Sequence, residues 1–135
     1  FEDQDPDFIK ALANYPGAET YISDKDGKNA LMYAAQYCKN KNIMKVLLDT
    51  IKQEKFIINY ADNNGTTALM YAAAYNTPEV VESLLNAGAD IDIKDNSGNK
   101  AIDYAMGWFG GNSSVKNSPV FERLGKSDKW IRPYW

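Results

Sequence analysis

Three carboxylates in the stretch DIDIKD, Asp90, Asp92 and Asp95, are the side chains in this sequence whose type and spacing best suit chemistry. Clustered carboxylate oxygens are ligands for a hard cation such as calcium. A second acidic stretch, DKDG at residues 24–27, begins like a calcium-binding loop but lacks that loop's later ligands. Asp is also common in turns, where its side chain accepts backbone hydrogen bonds. We therefore expect turns here, with no bound metal or cofactor, and keep calcium at Asp90, Asp92 and Asp95 as the alternative.

The sequence offers little for nucleophilic catalysis. It contains no histidine and a single cysteine, Cys38, so the usual catalytic triads and the common zinc-ligand sets are excluded. Cys38 follows Tyr37 near the end of a predicted helix, and we interpret it as a partly buried structural thiol. We predict that the protein is not an enzyme.

The bulk composition is that of one globular domain. The 135 residues are 44% hydrophobic and 24% charged, and the net charge of −3 disfavours nucleic acid as a partner. No apolar run approaches the length of a membrane span, so we predict a soluble protein without membrane insertion. The chain begins with Phe1 and shows no signal-peptide pattern. The sequence leaves the compartment open between the cytoplasm and, if Phe1 is a processed N-terminus, the periplasm or the outside of the cell.

The strongest pattern is an internal repeat. NALMYAAQY at residues 29–37 recurs as TALMYAAAY at residues 67–75, and a glycine precedes these two copies and a third, diverged block. The alanine-rich phrase predicts a short helix that a second helix can approach closely. PEVVESLLNAG, at residues 78–88, predicts that second helix, because its apolar residues recur at helical spacing. Neither helix can bury its apolar face alone, so each copy needs a neighbouring copy beside it.

Start and stop signals give the bounds of the second helices. Thr77 is the predicted N-cap, Pro78 the first helical residue, and Gly88 the left-handed residue after the end. In the preceding repeat we place the start at Asn42 and, from four extra residues, predict a helix one turn longer. GWFGGNSSVKNS, at residues 107–118, is predicted to be a surface loop.

The block DNNGTTALMYAAAYNTPEVVESLLNAGADIDIK, at residues 62–94, resembles an ankyrin repeat. The residues in the family's register are Thr67, Leu69, Ala72, Ala73, Leu84, Leu85, Gly88, Ala89 and Asp90. The ALMYAA variant is closer to bacterial ankyrin proteins than to animal ones. Methionine or aspartate stands where the family has histidine, at Met32, Met70 and Asp103, so that histidine's turn-bracing hydrogen bonds must be lost or replaced. Met packs in its place in two repeats, and Asp103 is expected to accept hydrogen bonds from a neighbouring turn.

The resemblance implies an all-α ankyrin-repeat solenoid of about three repeats plus an N-terminal half repeat, in a single domain over residues 1–135. We expect a half repeat at 1–23, full repeats at 24–61, 62–94 and 95–125, and a C-terminal capping tail at 126–135. That tail carries two tryptophans and either covers the last repeat or binds a partner. A monomer is expected.

Aromatic side chains mark the candidate binding site. Residues four apart share a helix face, and the pairs with this spacing are Tyr33 and Tyr37, Tyr71 and Tyr75, and Tyr104 and Trp108. In ankyrin proteins this face lines the concave side together with the turn tips. The resemblance adds Gln36 on a helix and, on the turns, Lys25, Lys28, Asn63, Asn64, Asn96 and Asn99. We expect Tyr37, Tyr75 and Trp108 to be exposed; the inner three, Tyr33, Tyr71 and Tyr104, either share the surface or pack between repeats.

These residues predict a non-catalytic scaffold that binds a partner protein or peptide through an aromatic-lined concave face, since Tyr and Trp dominate many interfaces. Two alternatives remain open: an inhibitor or immunity-type protein that blocks a partner enzyme, and a structural module of a larger chain.

Overall fold

The computed structural model describes residues 23–51, 55–107 and 112–127 of the chain. Most of the predicted half repeat at 1–23, the predicted contact Trp108, and the predicted tail beyond residue 127 lie outside these described residues.

The described residues are helical, with two isolated antiparallel bridges that close turns, which confirms the predicted all-α class. None of the helices in these ranges is long and apolar enough to cross a membrane. The α-helices are α1 Ala30–Tyr37, α2 Lys41–Thr50, α3 Ala68–Tyr75, α4 Pro78–Asn86, α5 Ala101–Met106, α6 Ser113–Lys116 and α7 Val120–Arg123, with a 3-10 helix at Lys55–Asn59.

The helices pair and stack as the repeat predicts. Within a repeat, α1 packs on α2, and α3 packs on α4. Between repeats, α1, α3 and α5 pack side by side in one row, while α2, α4 and α7 pack in a second row. Each helix pair therefore buries its apolar face against the neighbouring pair.

The first helices approach closely because alanines lie between them. Ala34 and Ala35 of α1 and Ala72 and Ala73 of α3 are all fully buried. A methyl side chain leaves room for the backbone of the adjacent helix, so the row of first helices packs tightly.

The second helix α4 follows its predicted signals. The Oγ1 atom of Thr77 accepts a hydrogen bond from the amide of Val80, and Pro78 is the first helical residue. Gly88 has a φ of +104°, as expected of a residue that ends a helix in the left-handed region. Val80 and Leu84 are fully buried, and burial of such side chains stabilises the fold by about 1.5–3 kcal/mol each.

Two predictions about α2 are wrong. Asn40, not Asn42, is its N-cap, because the Oδ1 atom of Asn40 accepts hydrogen bonds from the amides of Asn42 and Ile43. The helix has ten residues against nine in α4, so it is not one turn longer. The connection to the next repeat instead contains the 3-10 helix, where Ile57 and Ile58 are buried.

The insertion between the helices of the third repeat is not entirely a loop. Residues Ser113–Lys116 form a turn of α-helix, capped by the side chain of Asn112, and Val115 is fully buried. The side chain of Asn112 also donates a 2.7 Å hydrogen bond to the carbonyl of Asn76. The apolar side chain and this bond to the previous repeat hold the segment against the stack, which composition alone did not predict.

Candidate functional site

Five tyrosines occupy matching positions on the first helices of three successive repeats. Tyr33 and Tyr37 lie on α1, Tyr71 and Tyr75 on α3, and Tyr104 on α5. Because these helices pack side by side, we call this set the tyrosine face. Tyr37 and Tyr75 are 42% and 54% exposed, whereas the other three are half-buried. The exposure of Tyr37 and Tyr75 agrees with the expectation from the sequence.

Each inner tyrosine donates a hydrogen bond from its hydroxyl to an aspartate nine residues earlier. The pairs are Tyr33–Asp24, Tyr71–Asp62 and Tyr104–Asp95. In the second pair, the distance from Oη of Tyr71 to Oδ2 of Asp62 is 2.5 Å. The inner tyrosines therefore connect each first helix to the turn that precedes it.

The second oxygen of each aspartate shapes its turn. Oδ1 of Asp62 accepts the amides of Asn64 and Thr66, both at 2.9 Å, and Asp24 and Asp95 repeat the pattern. Sequence reasoning weighed packing against partner contact for the inner tyrosines and missed these hydrogen bonds. The signal for them is the constant nine-residue spacing from aspartate to tyrosine in all three repeats.

These hydrogen bonds shift the pKa values of the inner tyrosines and of Asp24. The hydrogen bond to Asp24 raises the pKa of Tyr33 to about 12. Burial, and then the hydrogen bonds to Asp62 and Asp95, raise the pKa values of Tyr71 and Tyr104 further. The pKa of Asp24 is lowered, chiefly by the hydroxyl of Tyr33 and then by a backbone amide. All three tyrosines are therefore neutral hydrogen-bond donors at neutral pH.

The positions where the resemblance places histidine have other partners. The amide of Thr67 donates to the sulfur of Met70 over 3.5 Å. Asp103 is buried and accepts the amide of Lys100 at 2.8 Å, and it also accepts the hydroxyl of Ser127. The hydrogen bonds to Asp103 thus come from the start of its own helix and from Ser127, in the non-helical segment that follows α7.

Lys28 lies within the tyrosine face, between the first two repeats. Its Nζ atom is 4.3 Å from the ring centre of Tyr33, 4.6 Å from that of Tyr71 and 6.0 Å from that of Tyr37. These distances are within the range of cation–π attraction. The same ammonium donates a 2.6 Å hydrogen bond to Oε1 of Gln36. We call these three rings, with Lys28 between them, the first cage.

The same set of rings recurs one repeat further along, and the described residues that line it include no lysine. The lining residues of a cavity of 160 Å³ are Thr66, Met70, Tyr71, Ala74, Tyr75 and Tyr104. Thr66 and Ala74 stand at the positions that Lys28 and Gln36 have in the preceding repeat. We call this cavity the second cage.

Two asparagines link the projecting turns of successive repeats. The backbone amide of Asn63 donates a 3.0 Å hydrogen bond to the carbonyl of Asp26. The side-chain amide of Asn63 donates a 2.9 Å hydrogen bond to the backbone carbonyl of Lys25. Asn96 likewise donates to the carbonyls of Asn64 and Asn63, at 2.9 and 3.1 Å. Both side chains are exposed, but their amide groups already hold the turns together.

Glycine is required where these turns meet. Gly65 has a φ of +79°, and a Cβ atom there would lie 2.8 Å from the backbone nitrogen of Asn96. Gly27 has a φ of +80°, and a Cβ atom there would lie 2.8 Å from the backbone nitrogen of Asn63. The glycines thus serve both the left-handed turn and the close approach of the next repeat.

The other predicted turn contacts differ in exposure. Lys25 and Asn64 are exposed, but Asn99 is only 1% exposed. The turn folds inward at Asn99, whose amide donates to Oδ1 of Asp95 and whose carbonyl accepts the amide of the same residue. The expectation that Asn99 contacts a partner is therefore corrected: it is a buried residue.

Aspartates of the stretch DIDIKD accept hydrogen bonds from nearby residues. Asp95 accepts the amide of Ser97 and the hydroxyl of Tyr104, and Asp90 accepts the amide of Asp92. In the ranges that the structure covers, no three or more His, Cys, Asp or Glu side chains are grouped so that they could hold a metal ion. Cys38 is fully buried, with its sulfur 3.8 Å from the carbonyl oxygen of Asn40.

Comparisons with known proteins identify what the chain is similar to. The family model of ankyrin repeats, in three copies, matches residues 2–95. No curated protein matches the chain. Among the solved structures, 274 chains match, so the fold alone does not single out a partner.

One of these matches is a chain in the complex of the predatory endopeptidase Bd0816 from Bdellovibrio bacteriovorus with the immunity protein Bd3460. The two chains are 30% identical with a TM-score of 0.59, and the match covers 87% of this chain and 53% of the other. The chain thus spans about half the length of the one it matches.

Proposed function

Because the chain belongs to the ankyrin repeat family, we propose that it is a non-catalytic module that binds a partner protein or peptide through the tyrosine face. The observation that carries this proposal is the exposure of Tyr37 and Tyr75 at matching positions of adjacent repeats. Exposed aromatic side chains that are grouped on one face often mark a protein interaction site, and tyrosine buries a large area at low entropic cost.

The inner tyrosines of the tyrosine face make it a preorganised binding surface. The inner tyrosines are held by their aspartates, so little side-chain entropy remains to be lost when a partner binds. Lys25 and Asn64 extend the surface onto the turns. Asn63 and Asn96 contribute less, because their amides are engaged in the stack. Trp108 is included in the proposal only because of its position in the sequence, four residues after Tyr104.

An affinity capture tests the proposal. The chain is immobilised and exposed to extract of the cells that produce it, and bound proteins are identified by mass spectrometry. The double variant Tyr37→Ala, Tyr75→Ala is expected to lose the captured partner with its melting unchanged. Tyr60→Ala is the matched control, because Tyr60 is 43% exposed but lies outside the first helices. Capture that survives in the double variant would place the contact elsewhere, and capture of nothing would favour a structural module of a larger chain.

A second candidate is an inhibitor or immunity-type protein that blocks a partner enzyme. The similarity to a chain from an endopeptidase–immunity protein complex favours this function. If a captured partner is an endopeptidase, adding the chain in excess is expected to suppress its peptide hydrolysis. The double variant Tyr37→Ala, Tyr75→Ala should leave hydrolysis uninhibited. Unchanged hydrolysis with the parent chain bound would exclude inhibition and leave simple binding.

A further inference from the structure

The two cages are built from the same kinds of side chain, and they differ at the position that holds the cation in the first cage. The rings of the first cage, Tyr33, Tyr37 and Tyr71, correspond one repeat later to Tyr71, Tyr75 and Tyr104. In the first cage the cation is Lys28. In the second cage its position is taken by Thr66, which carries no charge.

We propose that the second cage binds the ammonium group of a lysine side chain supplied by the partner protein. This inference rests on the proposed function and names the chemistry recognised at one place on the tyrosine face. The first cage shows, within the same chain, what such a complex looks like: an ammonium 4.3 and 4.6 Å from two ring centres. Ammonium ions over aromatic faces are attracted by the ring quadrupole, and more strongly when water is excluded.

Charge in the surrounding turns favours a cation. Two inner tyrosines of the second cage donate their hydroxyl groups to Asp62 and Asp95, just as those of the first cage donate to Asp24 and Asp62. These carboxylates add negative potential behind the rings. Lys28 offsets that potential in the first cage and lies 4.6 Å from the ring centre of Tyr71, which both cages share. Thr66, in contrast, adds no charge beside Tyr75 and Tyr104. The ammonium of Lys39 donates a 2.8 Å hydrogen bond to the backbone carbonyl of Tyr75. The ammonium of Lys100, in the turn before α5, forms an ion pair with another carboxylate, since its Nζ atom lies 4.0 Å from Oδ1 of Asp92.

The second cage has room for a side chain supplied by a partner protein. It is a depression of 160 Å³ that is open to solvent. The room arises because Thr66 and Ala74 are shorter than Lys28 and Gln36, the residues at their positions in the first cage. A lysine stem can pack along the rings while its ammonium lies over them, in the manner of amphipathic side chains. Tyr75, 54% exposed, provides access from solvent.

The first test needs no partner. The full chain is titrated with lysine capped at both backbone ends, and the tyrosine ring resonances are followed by NMR. We expect saturable shifts at Tyr71, Tyr75 and Tyr104, with one molecule bound. Capped norleucine, which keeps the apolar stem but lacks the charge, is expected to bind about tenfold more weakly or worse. Equal binding of the two, or no saturable binding of capped lysine, would overturn the inference.

A pair of exchanges between the cages tests the assignment directly. Thr66→Lys with Ala74→Gln copies the first cage into the second, and this variant is expected to lose capped-lysine binding. Lys28→Thr with Gln36→Ala copies the second cage into the first, and its stoichiometry is expected to rise from one to two. Lys41→Thr, which removes an exposed lysine of α2 outside both cages and outside the tyrosine face, should keep one site. Unchanged stoichiometry in either exchange, with the fold intact by circular dichroism, would contradict the inference.

The outcome separates this inference from the proposed function. Partner capture that is lost in Tyr37→Ala, Tyr75→Ala but unaffected by Thr66→Lys, Ala74→Gln would leave the tyrosine face as the binding site and refute the lysine assignment. If a cage variant does not fold, the titration of the unaltered chain with capped lysine and capped norleucine still decides.

Discussion

The ammonium of Lys28 lies 4.6 Å from the ring centre of Tyr71, a side chain of the following repeat. Lys28 lies in the turn before α1 and Tyr71 lies on α3, so this contact joins two neighbouring helix pairs. The tyrosine face is therefore part of the stacking interface as well as an exposed surface. A residue that sequence reasoning assigns to partner contact here stabilises the stack.

Replacing Lys28 with methionine should lower the free energy of unfolding by about 1 kcal/mol, because it removes the cation from the rings and the donor to Gln36. Urea denaturation measures the change. Lys25→Met, on the same turn but exposed, is the control and should change stability by less than about 0.5 kcal/mol. Equal effects of the two substitutions would contradict a role for the cage in stability.

Two glycine substitutions separate backbone strain from steric overlap. Gly65→Ala should destabilise the fold by about 2–3 kcal/mol, since its φ is +79° and the new Cβ would lie 2.8 Å from the amide nitrogen of Asn96. Gly88→Ala should cost only about 1 kcal/mol, because its φ is +104° but nothing lies within 4 Å of the added Cβ. Thermal denaturation compares them. A Gly88→Ala loss as large as that of Gly65→Ala would show that turn contact between repeats is unimportant.

Asn76 is predicted to be a structural residue between the first two repeats. It is 3% exposed, and its side-chain nitrogen donates to the carbonyls of Ala35 and Cys38, both at 2.8 Å. Asn76→Ala should therefore lower the free energy of unfolding by about 3 kcal/mol, because buried carbonyls lose their donors. Asn42→Ala, at an exposed position that is not a helix cap, should have a small effect in the same urea titration. A small effect of both would show that water replaces the lost donor.

The Tyr33–Asp24 pair makes stability depend on pH at both extremes. The folded pKa of Tyr33 is raised from 10.0 to about 12, so its contribution is complete below pH 10 and is lost as the pH rises to 12. The folded pKa of Asp24 is lowered from 3.8, so its contribution is present above that pH and is lost as the pH falls through the folded value. Urea titrations across pH should show both declines, and Tyr33→Phe should make both shallower. Identical pH profiles for the variant and the parent would contradict the pairing.

Much of the fold could be predicted from the sequence, because its signals are local. The repeated phrase, the cap at Thr77 and the glycine at Gly88 each act within a few residues, and the structure has them where expected. The start of α2 was misplaced because Asn40 and Asn42 are both good caps, and only the backbone geometry distinguishes them. The helical turn at Ser113–Lys116 depends on burying Val115 in tertiary contacts, which composition does not reveal.

The candidate site was predicted in outline only. Helical spacing placed the tyrosines of each first helix on one face, because that depends on one helix at a time, and Tyr37 and Tyr75 are exposed as expected. The position of Lys28 among three rings depends on how two repeats stack, and no spacing within one repeat indicates it. The burial of Asn99 depends in the same way on how its turn folds onto the third repeat.

The most direct test of the account is the affinity of the captured partner for single-site variants of the chain, measured by titration calorimetry. Tyr75→Ala is expected to raise the Kd at least about tenfold, as loss of a central aromatic contact does at other interfaces. Tyr60→Ala, which removes a ring of similar exposure outside the face, should leave the Kd unchanged. An unchanged Kd for Tyr75→Ala, or equal losses in the two variants, would contradict binding through the tyrosine face.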